Sequence, residues 1–107
     1  MSPFELYIAY VAWGGGGKRR PVLVLERNAD EISVYPITSQ FLSKSESVRA
    51  KYLLINDWKQ SGLEMPSYID TNKILDIEAS EIDSEAIGKL SNADIERFLN
   101  FIGGKLV

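Results

Sequence analysis

The sequence contains no cysteine and no histidine among its 107 residues. Without cysteine the chain has no disulfide, iron–sulfur cluster or thiolate zinc site. Without histidine it lacks the most common general base, and every Ser-His or Cys-His catalytic pair is excluded. The carboxylates Asp57, Asp70 and Asp76 show no spacing typical of a metal cage, so we expect no metal site and no cofactor.

Long hydrophobic runs are also missing. The apolar run at residues 6–13 follows Glu5 and is far shorter than the ~18 residues that cross a bilayer, so we expect a cytoplasmic protein without a membrane segment. The net charge is −3, but residues 1–51 carry seven Lys and Arg against five Asp and Glu, and residues 52–107 carry five against ten. This balance argues against a broad DNA-coating surface and leaves room for a local basic patch.

The first third of the chain predicts strands. Residues 4–13 are apolar in both alternating sets, which favours a strand covered on both faces by core or by a partner subunit, with a helix as the alternative. Residues 22–26 predict a central strand, and residues 32–40 predict the second arm of a hairpin after a turn at 27–31. Pro36 has no N–H to donate, so it predicts a bulge or a sheet edge.

The rest of the chain predicts two more strands and a helix. Residues 41–51 indicate a loop with one helical turn, and residues 52–57 and 67–77 indicate strands. Ser91, followed three residues later by Asp94, resembles a capping box at the start of a helix. Apolar residues then recur at helical spacing before a terminating Gly103-Gly104; they are Ile95, Phe98, Leu99 and Ile102.

Together these elements predict a mainly β fold. Five or six short strands and one terminal helix fit a small, mostly antiparallel barrel better than an alternating βαβ fold. No internal repeat is visible, and 107 residues are enough to bury a core without disulfides or a structural metal. We therefore expect one domain over residues 1–107.

Four glycines and three cations, residues 14–20, lead into the second strand. A Walker loop needs a glycine five residues before its Gly-Lys pair and a Ser or Thr after the lysine, but Ala12 and Arg19 stand there. A dinucleotide fingerprint needs a third glycine at Arg19 and a helix afterwards, whereas a strand follows. The glycines are therefore interpreted as a flexible hairpin connection, and the cations as either a solvated rim or a site.

Arg20 differs from Lys18 and Arg19 because Pro21 and the strand after it hold its backbone rigidly. A guanidinium stays charged at physiological pH and presents a planar fork of donors that matches phosphate oxygens. Arg20 is therefore a candidate clamp for a phosphodiester.

The hairpin's second arm ends in the polar residues Thr38, Ser39 and Gln40. Hydroxyls at a strand end usually bond their own backbone and form turns, so this pattern alone does not mark a site. Three aromatic residues offer rings for base stacking, with core or dimer contacts as the alternative; they are Trp13, Tyr35 and Trp58.

Four segments read together resemble the MazF/PemK-like toxins of bacterial toxin–antitoxin pairs. The family pattern has a Gly-x-x-Arg-Pro strand entry, an Ile-Thr-Ser strand end, a Gly-Leu then Ser-x-x strand, and an Ile-Gly-x-Leu-Ser segment before the last helix. The matching segments, in order over nearly the whole chain, are "GKRRPVLVLE", "YPITSQ", "GL...PSYIDTNKI" and "IGKLSNADIERFL".

The resemblance implies an SH3-like β-barrel homodimer that cleaves single-stranded RNA without a metal, held inactive by an antitoxin peptide lying across the RNA groove. It implies that Arg20, the arginine before proline, and Thr38, the strand-end threonine, take part in cleavage. It places Ser39 and Gln40 near the RNA. Lys18 and Arg19, which form a local basic mouth with Arg20, are further candidate RNA contacts.

Two segments depart from the family pattern. The loop before Arg20 is short and glycine-rich where many members have a longer polar insertion. Asn72 and Lys73 stand where many members have an aspartate followed by glutamine, and Asp70 is shifted by two residues. Asp70 is the candidate acid or base on this strand.

The chemistry fits the side chains present. RNA supplies its own nucleophile, the 2′-hydroxyl, so an enzyme gains much from orientation alone. The remaining demand is to stabilise charge on the phosphate oxygens and to move protons. The hypothesis is that Arg20 neutralises the transition state and Thr38 positions the phosphate or the 2′-hydroxyl, which yields a 2′,3′-cyclic phosphate and a 5′-hydroxyl.

The partners depend on which function holds. For a ribonuclease we expect an antitoxin with an acidic, partly disordered tail that folds into the basic mouth and competes with RNA. The rival hypothesis is a non-catalytic module that binds a partner peptide or a DNA-associated protein, as in gyrase-poisoning relatives. In that case residues 6–13 form the interaction edge and Arg20 is a rim contact.

Overall fold

The computed structural model describes residues 1–103, which contain seven strands and two α-helices. A short 3-10 turn, Ala79–Glu81, follows the sixth strand. In chain order the elements are β1 (Glu5–Trp13), β2 (Gly16–Asn28), β3 (Glu31–Thr38), α1 (Glu46–Arg49), β4 (Tyr52–Leu54), β5 (Tyr68–Asp70), β6 (Leu75–Glu78), β7 (Gly88–Lys89) and α2 (Asn92–Ile102).

The strands form one antiparallel sheet in the order β4-β5-β3-β2-β1-β7, and β6 also pairs with β3. The longest ladder is the β1–β2 hairpin, which runs from the Leu6–Leu23 pair to the Trp13–Gly16 pair. The sheet curls into a half-barrel, and the C-terminal helix α2 packs against its apolar core. The prediction of a mainly β, barrel-like fold with a C-terminal helix is confirmed.

Each face of the curled sheet carries an apolar cluster. The first cluster joins Leu6 of β1 and Leu23 of β2 to Phe98 of α2, and the second contains Tyr7 and Ala9 of β1. Because alternate side chains of a strand point to opposite faces, β1 contributes to both clusters. The apolar residues at both alternating sets of positions in β1 predicted that both of its faces are covered.

β2 begins earlier than the sequence predicts. It starts at Gly16, inside the glycine run, because the glycines and cations continue the ladder with β1 as far as Trp13. The hairpin between β2 and β3 turns at residues 29–30 instead of over five residues, and Ala29 has a φ of 55° there. β3 ends at Thr38, so the strand prediction through Gln40 was two residues too long.

Pro36 lies in an interior strand, paired with Val22. The prediction of a bulge or edge at Pro36 was therefore wrong, although β2 has a register shift nearby, between Val24 and Glu26. On its other side β3 pairs with β6 up to Val34 and with β5 from Ile37. Pro36 falls in the gap between these two partners, where a missing N–H removes no ladder hydrogen bond.

The predicted single strand at residues 67–77 is two strands, β5 and β6. β5 pairs with the end of β3 at Ile37 and Thr38, whereas β6 pairs with its beginning, from Glu31 to Val34. The connection at residues 71–74 carries the chain from one half of β3 to the other. Residues 52–57 form a strand only as far as Leu54.

The predicted helical turn before β4 is α1, and the predicted terminal helix is α2. Ser91 caps α2 by accepting the Asp94 N–H at 3.1 Å. Phe98 is buried in the core, whereas Leu99, which shares the helical apolar spacing, is 45% exposed. Gly103 is the C-cap of α2, and Gly104 lies outside the described residues.

Candidate functional site

A groove of about 520 Å³ opens where the beginning of β2 and the end of β3 meet the connection between β4 and β5. Other parts of its wall are Ile8 of β1, Ile87, and the segment at residues 62–65. Six residues selected from the sequence line it together; they are Lys18, Arg19, Arg20, Thr38, Ser39 and Gln40. Two segments distant in sequence thus form one cationic and hydroxyl-bearing groove.

The strand register places Arg20 and Thr38 on the same face. Val22 pairs with Pro36, and Arg20 lies two residues before Val22 while Thr38 lies two residues after Pro36. Side chains two residues apart on a strand share a face, and antiparallel partners in register are neighbours. The guanidinium and the hydroxyl therefore extend from adjacent strands towards one region.

Arg20 carries a charge that no described residue neutralises. Its guanidinium lies 5.8 Å from the centre of the Trp13 ring, and its buried Nε has no hydrogen-bond partner within residues 1–103. Stacking on an indole orients the guanidinium plane without reducing its charge. Arg20 is thus held in place by packing, and its charge is available for an anion.

Arg19 is in a different position. It lies opposite Tyr10 on β1, and its Nη2 donates a hydrogen bond to Oδ1 of Asp83. Both side chains are about half exposed, and ion pairs at such sites contribute only about 0–1 kcal/mol. An arriving anion can displace Asp83 at small cost.

The Thr38 side chain forms a turn with its own backbone, which is the alternative role that the sequence analysis gave for a hydroxyl at a strand end. Its Oγ1 accepts the backbone N–H of Gln40 at 3.1 Å. A threonine hydroxyl has one donor and two acceptor positions, so this bond occupies one lone pair and leaves the O–H free to donate. The turn therefore orients the hydroxyl and does not prevent it from binding a phosphate oxygen.

Asp70 lies outside the groove lining but on the face that carries Thr38. Thr38 pairs with Tyr68, and Asp70 follows two residues later on β5. Its Oδ1 accepts hydrogen bonds from the backbone N–H of Asn72 at 2.9 Å and from Nδ2 of Asn72 at 2.7 Å. The carboxylate is thus held as a hydrogen-bond acceptor beside the Arg20–Thr38 region.

Tyr52 lies opposite Asp70 across the β4–β5 ladder. Burial raises the pKa of Tyr52, the Asp70 carboxylate raises it further, and the Arg20 guanidinium lowers it. The phenol therefore keeps its proton at neutral pH and lies within electrostatic reach of both charged groups. The sequence contained no motif that would have selected Tyr52.

Several groove residues also escaped the sequence interpretation. Lys44 belongs to the serine-rich segment interpreted as a loop, and Glu64 and Met65 lie in the connection after β4. Only the tertiary fold brings these residues to the groove, since none has a spacing signal relative to Arg20. The three aromatic residues considered for base stacking lie in different places. Tyr35 is in the core and Trp58 packs against the core. Trp13 is 53% exposed, and its ring faces the Arg20 guanidinium.

Two backbone segments cross at one wall of the groove. Gly62, with a φ of 91°, lies against the Ile87 carbonyl, and Gly88 lies against the Ser61 carbonyl. A β-carbon at either glycine would overlap these carbonyls. The Gly-Leu and Ile-Gly segments of the sequence pattern are therefore in contact in the fold.

Carboxylates in the described residues do not converge on a metal centre. No group of three or more His, Cys, Asp or Glu residues within positions 1–103 has the geometry to hold an ion. Asp57 accepts a hydrogen bond from Ser91, and Asp76 accepts one from Ser33 at 2.6 Å. Neither helix in this part of the chain is long and apolar enough to cross a membrane.

Comparison with known proteins gives a family match and two similar folds. The model of the PemK-like, MazF-like toxin of type II toxin–antitoxin systems matches residues 4–102. The Mycobacterium tuberculosis toxin MazF-mt6 has a TM-score of 0.70 and 23% identity, covering 94% of this chain and 93% of that one. An endoribonuclease in complex with its cognate antitoxin, from a Mycobacterial species, has a TM-score of 0.59 and 12% identity, covering 92% and 86%. No curated protein matches the sequence.

Proposed function

The chain belongs to the PemK-like, MazF-like toxins of type II toxin–antitoxin systems, and we propose that it is an endoribonuclease that cleaves single-stranded RNA without a metal ion. One observation carries this proposal. The register of β2 and β3 places Arg20, whose charge no described residue neutralises, on the same face as the donor hydroxyl of Thr38, and both line one groove. A phosphodiester fits this pair of donors.

In the proposed reaction the RNA 2′-hydroxyl oxygen attacks the adjacent phosphorus, and the bond from phosphorus to the 5′-oxygen breaks. The products are a 2′,3′-cyclic phosphate and a 5′-hydroxyl. Arg20 binds the non-bridging oxygens as their charge grows, and Thr38 donates a hydrogen bond that positions the phosphate. Asp70 is the candidate group for moving a proton. RNA flanking the scissile bond contacts Lys18, Arg19, Ser39 and Gln40.

The test is incubation of the purified protein with long, weakly structured RNA in excess chelator, followed by mapping of the product ends. We expect discrete fragments with 5′-hydroxyl ends, and a rate reduced by about 100-fold or more in Arg20→Ala. Arg27→Ala is the matched control, because Arg27 lies at the other end of β2 and bonds the Ala29 carbonyl. Full cleavage by Arg20→Ala contradicts the assignment. DNA breakage without RNA products indicates the gyrase-poisoning alternative.

We also propose a cognate antitoxin as the protein partner. The family is defined by toxin–antitoxin pairing, and one similar structure contains an endoribonuclease with its antitoxin. An acidic, partly disordered tail would bind the groove through Lys18, Arg19 and Arg20 and compete with RNA. Reversing these three charges should abolish binding, whereas Arg27→Glu should not. Unchanged affinity of the triple variant would rule out this binding mode.

A homodimer is the proposed assembly. The outer end of β1 stays exposed, with Tyr10 at 41% and Trp13 at 53%. Tyr10 and the exposed Ile74 line a second cleft together with other apolar residues of β1 and β6. A partner subunit that covers this cleft would bury these side chains. Because single-stranded RNA is the proposed substrate, the cytoplasm is the proposed compartment.

A further inference from the structure

The five arginines of the chain fall into two groups. Three have protein acceptors: Arg19 bonds Asp83, Arg97 bonds Asp94 at 2.8 Å, and Arg27 bonds the Ala29 carbonyl at 3.1 Å. Arg20 and Arg49 take part in neither of the two ion pairs found among residues 1–103, and the buried Nε of each has no hydrogen-bond partner there. These two cations are therefore uncompensated.

Arg49 is built like Arg20. Each guanidinium lies over an aromatic ring, Arg20 at 5.8 Å from Trp13 and Arg49 at 5.4 Å from Phe41. Each has a buried Nε without a partner. Both side chains are half-buried, so packing limits their motion. A fixed, uncompensated guanidinium is the arrangement that favours binding of an external anion.

A set of aromatic contacts extends from Arg49 to Tyr68, the strand partner of Thr38. Phe41 stacks on Tyr68 with ring centres 4.6 Å apart, and Tyr68 pairs with Thr38 across the β3–β5 ladder. Tyr52 lies 6.2 Å from both rings and within electrostatic reach of Arg20. Arg49 is therefore separated from the Arg20–Thr38 pair by this aromatic cluster of Phe41, Tyr52 and Tyr68.

The segment that carries Arg49 also reaches the groove. Lys44 lines the groove beside Thr38, and α1, which ends at Arg49, begins two residues later. A polyanion bound at Arg20 can thus continue past Lys44 towards Arg49. RNA carries a phosphate at every nucleotide, so one strand can contact two fixed arginines at once.

We propose that Arg49 binds a non-scissile phosphate of the RNA, close to the phosphate bound by Arg20. This inference rests on the proposed ribonuclease function and adds a second phosphate subsite to it. Arg49 takes no part in bond cleavage. It positions the strand, so that the scissile phosphate lies in register with Arg20 and Thr38.

The experiment compares wild type, Arg49→Gln and the control Arg27→Gln on one short RNA that the wild type cleaves. We expect kcat/KM of Arg49→Gln to fall about tenfold, and Arg27→Gln to match wild type. The slope of log(kcat/KM) against log(salt) should become shallower by about 0.7, the value for one lost phosphate contact with a single strand. A purely structural role for Arg49 would leave this slope unchanged.

A second arm replaces single non-scissile phosphates with neutral methylphosphonates. At one position the substitution should slow wild type about tenfold and leave Arg49→Gln unaffected, because the contact is already lost. If Arg49→Gln does not fold, the same scan of wild type alone must show one sensitive non-scissile position, and absence of such a position overturns the inference.

The possible failures are distinguishable. If wild type cleaves no RNA, the proposed function fails and the subsite with it. If wild type cleaves RNA but Arg49→Gln has the same kcat/KM and salt slope, only the second subsite is overturned. Unchanged cleavage with weakened antitoxin binding would also overturn it, and would assign Arg49 to the protein partner.

Discussion

Thr38 lies at a strand end, where its hydroxyl takes part in a local turn and is also the proposed phosphate donor. Its Oγ1 accepts the Gln40 N–H, and its own proton stays free. Sequence alone could not separate the two uses, because a turn-forming threonine and a phosphate-binding threonine have the same neighbours. The local bond in the structure leaves the hydroxyl proton free for the proposed phosphate contact.

Replacement of Thr38 tests whether its hydroxyl, which also accepts the Gln40 N–H, is needed for cleavage. Thr38→Val keeps the shape but removes the donor, so we expect cleavage to slow by about 10–100-fold. Thr38→Ser keeps the hydroxyl and should retain most activity. Both rates are measured on the same RNA, with thermal unfolding as the control for folding. Equal rates for Thr38→Val and wild type would show that the hydroxyl is dispensable.

Tyr35 predicts how stability depends on pH. Burial raises the pKa of Tyr35 in the folded chain, whereas the pKa of a tyrosine in an unfolded chain is about 10. The folded state therefore holds this proton more tightly, so its contribution is complete below about pH 10 and is lost as pH rises through the folded pKa.

The measurement is the free energy of unfolding in urea between about pH 9 and 11.5. We expect wild type to lose stability across this range, and Tyr35→Phe to lose less, because it removes one buried titrating group. Tyr7 and Tyr52 also have raised pKa values and account for part of the remaining slope. Identical slopes for wild type and Tyr35→Phe would contradict the prediction.

At the scale of elements, the sequence predicted the strands and helices that have a clear pattern of apolar residues. β1 has apolar residues in both alternating sets, and α2 has a cap at Ser91 and a helical apolar spacing. The division between β5 and β6 was missed, because residues 67–77 are suitable for one strand and only the partner strand β3 determines where they separate. Leu99 shows the same limit, since spacing identifies a helix face but not how far the core extends.

The crossing of Gly62 and Gly88 predicts two contrasting glycine variants. Gly88→Ala should reduce the free energy of unfolding by about 1–3 kcal/mol or more, because its β-carbon overlaps the Ser61 carbonyl. Gly15→Ala is the control: a β-carbon there has no neighbour within 4 Å. Gly15→Ala should change the free energy of unfolding by less than about 1 kcal/mol, and an increase is also compatible with the prediction. Denaturant unfolding of both variants gives the comparison, and equal stabilities would show that the crossing tolerates a side chain.

At the scale of the whole molecule, the net charge of −3 gave little indication of the proposed RNA groove. Four of the twelve Lys and Arg residues line one groove, while most acidic residues lie in the second half of the chain. Lys18, Arg19 and Arg20 were selected because they are consecutive. Tyr52, Lys44 and Arg49 were not, because their proximity arises only when β3, β4 and β5 are assembled.

The proposed dimer gives a prediction for mass. Light scattering or sedimentation should give about twice the chain mass of 12.0 kDa. Ile74→Asp should shift the protein towards the monomer, because it replaces an apolar side chain of the cleft beside Tyr10 with a charge that the partner subunit would bury. Lys59→Asp is the control, as Lys59 lies over Trp58 and does not line that cleft. A monomeric wild type would rule out the homodimer.

The groove draws its walls from segments spread between Ile8 and Ile87. A genetic consequence follows for a cell that carries this toxin. A frameshift or stop codon at almost any position before codon 87 removes part of the groove, so toxicity can be lost through many different lesions. Among survivors of toxin expression, truncating mutations should be scattered along the gene, whereas missense mutations should concentrate at groove residues and at the Gly62–Gly88 crossing.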